Sequence, residues 1–198
     1  MTSSEEQETR VRTAMPNIGV VVAIDVDNLL ISAARAGQSY EGYSLKSGFE
    51  KMFEWIRTFG NILSIHLYLP ASQSINDELW HELWERYHSR HIFETVYCPK
   101  RRSESGRRVD DVDQHLITHT EHIIDLFGDQ VGYFCLVSGD LDYSSFLWKL
   151  KRERNIEIAF AMGSEESFSK VYRQMNLATK HPVTSEELIY CFSPYKHS

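Results

Sequence analysis

Two stretches, "IGVVVAID" at residues 18–25 and "VGYFCLVSGD" at residues 131–140, constrain the fold more than any other feature of the chain. A strand with one face in water alternates apolar and polar side chains, whereas a strand that is apolar almost throughout must be covered on both faces. Similar runs occur at Ile62–Leu69, Ile92–Tyr97 and Ile156–Ala161. Between and beyond them lie segments with helical periodicity: Asn28–Ala36, Leu45–Phe59, Asn76–His88, Asp110–Phe127, Tyr143–Arg152 and Glu166–Leu177. Strands of this kind alternating with helices predict an α/β protein, a three-layer α/β/α sandwich around a mostly parallel sheet. "ELIYCF" near the end adds a candidate short strand.

With 198 residues, 42% of them hydrophobic, the chain has material for one ordinary core. Residues 1–17 are polar and charged and read as a flexible tail; residues 18–180 form the expected domain and 181–198 a C-terminal extension. The net charge of −7 excludes a global positive field, so any nucleic-acid binding must be local. No apolar run is long enough to span a bilayer, and no membrane partner is expected. The first residues carry no apolar segment of the signal-peptide kind. Cys98, Cys135 and Cys191 are far apart and read as reduced core thiols, which points to a cytoplasmic location.

Both clear strands run into acids: Asp25 on one, then, after Ser138, Asp140 and Asp142 on the other. In an open parallel sheet, ligands bind beyond the carboxyl ends of the strands. If these two strands are neighbours, at least three carboxylates meet there. "RRVDDVDQHLITHTEHIIDLF" supplies more. At about 100° per residue, Val109, Val112, Leu116, Ile123, Ile124 and Phe127 cover one face, Asp113 falls inside it, Asp110 sits at its edge and Asp111 points outward. Capping and helix-dipole roles account for Asp110 or Asp111 but poorly for Asp113. Clustered carboxylates repel one another and take up protons unless a cation intervenes. Mg²⁺ or Mn²⁺, hard ions that take oxygen ligands, suit such a set and support phosphodiester hydrolysis by activating water and neutralising phosphoryl charge.

"AIDVDNLL", "RRVDDVD" and "LVSGDLDYSSFLWKL" together resemble the three motifs of the NYN domain, a PIN-like ribonuclease fold; "NIEIAFAMG" and "ESFSKVYRQMN" match its later elements more weakly. The resemblance covers roughly Ile18 to Leu177. It implies Mg²⁺- or Mn²⁺-dependent cleavage of RNA, with Asp25, one or both of Asp110 and Asp113, Asp140 and Asp142 as metal-site acids. Asn28 and Ser138 would shape the site or hold phosphate. The chain departs from the family near "RQMNLA", where Asn176 stands closest to the usual late aspartate. A catalytically silent RNA-binding or protein-interaction domain is the alternative that the resemblance leaves open.

"DVDN" also fits the D-x-D of haloacid-dehalogenase-type phosphatases, but the glycine and threonine that usually follow are Asn28 and Leu29 here. Asp27 is read instead as the N-cap of the first helix. The basic run "KRRSESGRR" offers Lys100, Arg101, Arg102, Arg107 and Arg108 as contacts to the phosphates of single-stranded RNA. In "INDELWHELWERYH", Leu79, Trp80, Leu83, Trp84 and Tyr87 share a helix side; core packing is the plain reading and a homodimer interface the alternative. His115, His119 and His122 form a stripe at helical spacing. It is read as facing solvent, because zinc sites usually recruit ligands from more than one element.

Overall fold

A computed structural model describes residues 18–35, 42–71, 77–102 and 108–161. The expected helix at 166–177, the strand at "ELIYCF", Asn176, Arg107 and Cys191 lie outside these residues.

The chain runs β1 (Gly19–Asp25), α1 (Val26–Arg35), α2 (Gly42–Ile56), β2 (Asn61–Pro70), α3 (Asp77–Tyr87), β3 (Ile92–Cys98), β4 (Lys100–Arg102), β5 (Arg108–Asp110), α4 (Val112–Phe127), β6 (Val131–Val137), α5 (Ser144–Glu153) and β7 (Glu157–Ala161). Five strands form one sheet in the order β3-β2-β1-β6-β7, and every pairing in it is parallel. All seven residues of β1 are buried, as a central strand with layers on both sides requires. The chain steps outward from β1 to β3 and then back across to β6 and β7, through parallel crossovers of the kind that are right-handed almost without exception. Helices therefore cover both faces, the α/β/α arrangement expected from the strand pattern. Cys98 and Cys135 are buried free thiols. Among the described residues no helix is long and apolar enough to cross a membrane.

Two local expectations are corrected. Val109 and Asp110 do not open the acidic helix; they belong to β5, which pairs antiparallel with β4. The basic run is thus partly ordered as a small hairpin whose backbone groups satisfy one another, and α4 starts only at Val112. The helix wheel could not reveal this, because strand pairing with residues 100–102 competes with helix extension. At the other end α4 stops at Gly128, whose φ of 53° suits glycine. The second correction concerns the first helix. Asp25, not Asp27, caps it: Asp25 Oδ1 accepts the Asn28 N–H at 3.1 Å, three residues on. The last strand residue is thereby also the first helix cap.

Candidate active site

The strand order changes direction between β1 and β6, and the carboxyl ends of these two strands define the crevice where a doubly wound sheet binds ligands. β1 and β6 are hydrogen-bonded neighbours up to the Ile24–Val137 pair. Asp25 and Ser138 follow that pair directly. Asp25 is only 6% exposed. Its Oδ2 accepts from Tyr143 OH at 3.0 Å and faces Ser138 Oγ at 3.4 Å. Ser138 Oγ in turn accepts the Asp140 N–H at 3.2 Å, so one hydroxyl links the two acids. Asn28 Oδ1 accepts the Gly139 N–H at 3.1 Å, tying the β1–α1 turn to the loop after β6. Asp140 Oδ1 accepts the Asp142 N–H at 3.1 Å, which turns the chain into a 3₁₀ segment at Leu141–Tyr143.

That turn drives Tyr143 inward. Its ring is fully buried, and its hydroxyl lies 2.6 Å from Asp113 Oδ1 on α4 as well as beside Asp25. A phenol has one proton to donate. Two carboxylates therefore compete for a single donor. Burial, then the neighbouring charges of Asp113 and Asp140, push Asp25 up to about 6, against the lowering effect of its hydrogen bonds from Asn28 and Tyr143. Asp113 is raised too, first by burial and then by Asp140, Asp142 and Asp111. Tyr143 is pushed far above the ordinary phenol range by burial and by both acids, so it stays a proton donor. An all-oxygen donor set in which acids are forced toward protonation fits a hard divalent cation, whose charge would remove that penalty.

The sequence reading of Asp25, Asp113, Ser138, Asn28 and Asp140 thus describes one connected corner. Asp142 is exposed at its rim. Asp110 lies on β5, where only the backbone is described, and the same holds for Lys100, Arg101, Arg102 and Arg108. The sequence reading gives Tyr143 no site role; it stands there only at the start of the helical segment 143–152 and inside "LVSGDLDYSSFLWKL". The available signal was its hydroxyl, a polar group carried into the core that needs a partner.

The histidine stripe is corrected. His122 is exposed, but His119 turns toward the sheet, where Tyr68 OH lies 3.0 Å from its Nδ1. Of the α3 side chains, Leu83 and Tyr87 are core while Trp84 is 43% exposed and stacks on His88.

Fold and site together define a doubly wound α/β domain with an acidic corner at its switch point. The NYN domain family model matches residues 19–177, and the chain belongs to that family, which places it in the PIN-like nuclease superfamily. The match leaves the haloacid-dehalogenase reading of Asp25 and Asp27 without support. No curated protein matches the sequence. A crystal structure of a protein of unknown function from Vibrio parahaemolyticus is similar in fold: the TM-score is 0.59 at 16% identity, over 82% of this chain and 90% of that one.

Proposed function

We propose that this NYN domain is a metal-dependent ribonuclease that hydrolyses phosphodiester bonds of single-stranded RNA. The observation that carries the reading is the pair of acids, buried Asp25 and half-buried Asp113, facing each other across Tyr143 OH at the switch point of a nuclease-superfamily fold. Mg²⁺ or Mn²⁺ held by Asp25, Asp113, Asp140 and Asp142 would supply Lewis-acid stabilisation of phosphoryl charge and activation of water. Asp25 is oriented by the Asn28 N–H, Ser138 and Tyr143 together, so its carboxylate cannot swing away from the corner. Tyr143 donates the one hydroxyl hydrogen bond for which Asp25 and Asp113 compete. Asn28 and Ser138 fix the loop carrying Asp140 against β1. The basic run of the β4–β5 hairpin leads directly into the Asp113 helix, and Lys100, Arg101, Arg102, Arg107 and Arg108 of that run would contact the RNA backbone.

The test is cleavage of a labelled single-stranded RNA with added Mn²⁺. Asp25→Asn and Asp140→Asn each lower the rate by on the order of 100-fold or more, and a chelator stops the wild type. Equal cleavage by wild type and both variants would point to a contaminant and to a catalytically silent RNA-binding domain.

A further inference from the structure

We infer that His66, Glu94 and His119 form a second cation site, separate from the aspartate corner, that takes Zn²⁺. Three elements bring them together. His66 on β2 and Glu94 on β3 are directly opposed in the parallel register. Tyr68, two residues beyond His66 and therefore on the same face, bonds to α4 at Thr120 and His119. α4 thus lays His119 over the His66–Glu94 pair, with the two imidazole centroids 4.9 Å apart.

The distances fit a shared ion better than hydrogen bonds. Glu94 Oε2 lies 3.4 Å from His66 Nδ1 and 3.6 Å from His119 Nε2. Both exceed the upper end of N–H···O bonding, about 3.2 Å. Two ligands bound at about 2.0–2.1 Å in a tetrahedron stand about 3.3–3.4 Å apart. One donor atom from each of the three residues can be chosen so that all lie within 4.8 Å of one another.

An independent observation points the same way. The His66 side chain is 0% exposed, and neither ring nitrogen has a hydrogen-bond partner. Burying an imidazole with nothing to bond costs stability, and a bound ion would engage the nitrogen facing Glu94. The surroundings also suit ligation. A metal-bound histidine ordinarily donates its other ring N–H to a fixed acceptor. His119 Nδ1 already faces Tyr68 OH at 3.0 Å, and Tyr68 OH is itself within 3.3 Å of Thr120 Oγ1. Two nitrogens and one carboxylate favour Zn²⁺ over Mg²⁺ or Mn²⁺. The Glu94 side chain, 49% exposed, leaves the ion a path from solvent and a fourth position for water. Bound there, Zn²⁺ would clamp the edge strand β3 to β2 and α4.

The test uses the full chain after chelator treatment, titrated with Zn²⁺ by calorimetry and with Co²⁺ by its visible spectrum. Wild type binds one equivalent of Zn²⁺, melts at a higher temperature with it, and gives tetrahedral Co²⁺ bands. Glu94→Gln and His119→Ala, both at partly exposed positions, weaken binding by more than about 100-fold, beyond the range for outer ligand partners. Tyr68→Phe weakens it about 10-fold. Asp25→Asn binds as wild type does. Absence of one-equivalent binding by the wild type overturns the site, as does binding that survives Glu94→Gln and His119→Ala. Loss in Asp25→Asn with retention in Glu94→Gln overturns it as well, by moving the ion to the aspartate corner.

Discussion

Asp113 and His119 both project from α4 toward the sheet, and each meets a buried partner there, Asp25 through Tyr143 and His66 beside Glu94. Burial works on the two partners in opposite directions. It raises Asp25 to about 6 and lowers His66 to about 3, because each group loses water around its charged form. The aspartate corner is thus short of positive charge, and two of its carboxylates, Asp25 and Asp113, are pushed toward protonation. The histidine cluster has a neutral imidazole with unused lone-pair capacity. Oxygen donors in excess call for a hard cation, and unpaired nitrogen donors call for a softer one. One helix can therefore border two chemically distinct sites, provided the sheet presents different side chains along its length.

The sharpest way to break this comparison is Asp25→Asn measured for stability rather than activity. The folded state holds the Asp25 proton up to about pH 6, while the unfolded chain releases it near 3.8. The folded protein binds the extra proton between those values, so this contribution is fully present at low pH and lost as pH rises through 6. Asparagine keeps an oxygen for the Asn28 N–H and adds an N–H that can face Tyr143 OH. In divalent-free buffer, Asp25→Asn should raise stability at pH 8 by about 3 kcal/mol, the equivalent of the roughly two-unit shift, and by nothing measurable near pH 3. Urea melts across that range would read it. A variant less stable than wild type at pH 8 would mean the corner is not short of positive charge.

Tyr143→Phe sharpens the same point with a smaller effect. It removes the one donor for which both acids compete and leaves the buried Asp25 and half-buried Asp113 carboxylates without it, a destabilisation of about 1–3 kcal/mol in divalent-free buffer. Added Mn²⁺ should restore much of the loss, whereas Zn²⁺ directed to the histidine cluster should not. Equal rescue by both ions would merge the two regions into one.

The control lies on the same helix. Asp125 of α4 pairs with Arg154 at 2.7 Å, but both side chains are about half exposed. Arg154→Met should change stability by less than about 0.5 kcal/mol, since water screens such a pair. A larger loss would show that charge on α4 matters regardless of burial.

Much of the architecture was legible because it rests on local composition. The run at residues 18–25 is apolar enough that only a doubly covered strand accommodates it, and the helical periodicity of residues 143–152 is close to the observed α5. The acidic corner was legible in part because Asp25 ends β1 and Asp140 lies just past the end of β6, and parallel neighbours end together. The start of α4 was not, since pairing of Arg108–Asp110 with Lys100–Arg102 depends on a hairpin rather than on helical periodicity. Asp27 looked like the cap because it precedes the apolar helix, yet the chain turns two residues earlier, where Asp25 can reach the Asn28 N–H.

By itself, the sequence determined that the strands are parallel and covered, and that two of them run into carboxylates, because side-chain polarity and spacing act within a single element; that those two strands are neighbours came from the fold. Which groups touch was decided only by the fold. Tyr143 joins Asp25 to Asp113, and His119 meets His66 and Glu94, across elements far apart along the chain. Contacts of that kind depend on the angle at which α4 crosses the sheet and on the register of β2 against β3, and neither is encoded in the periodicity of one segment.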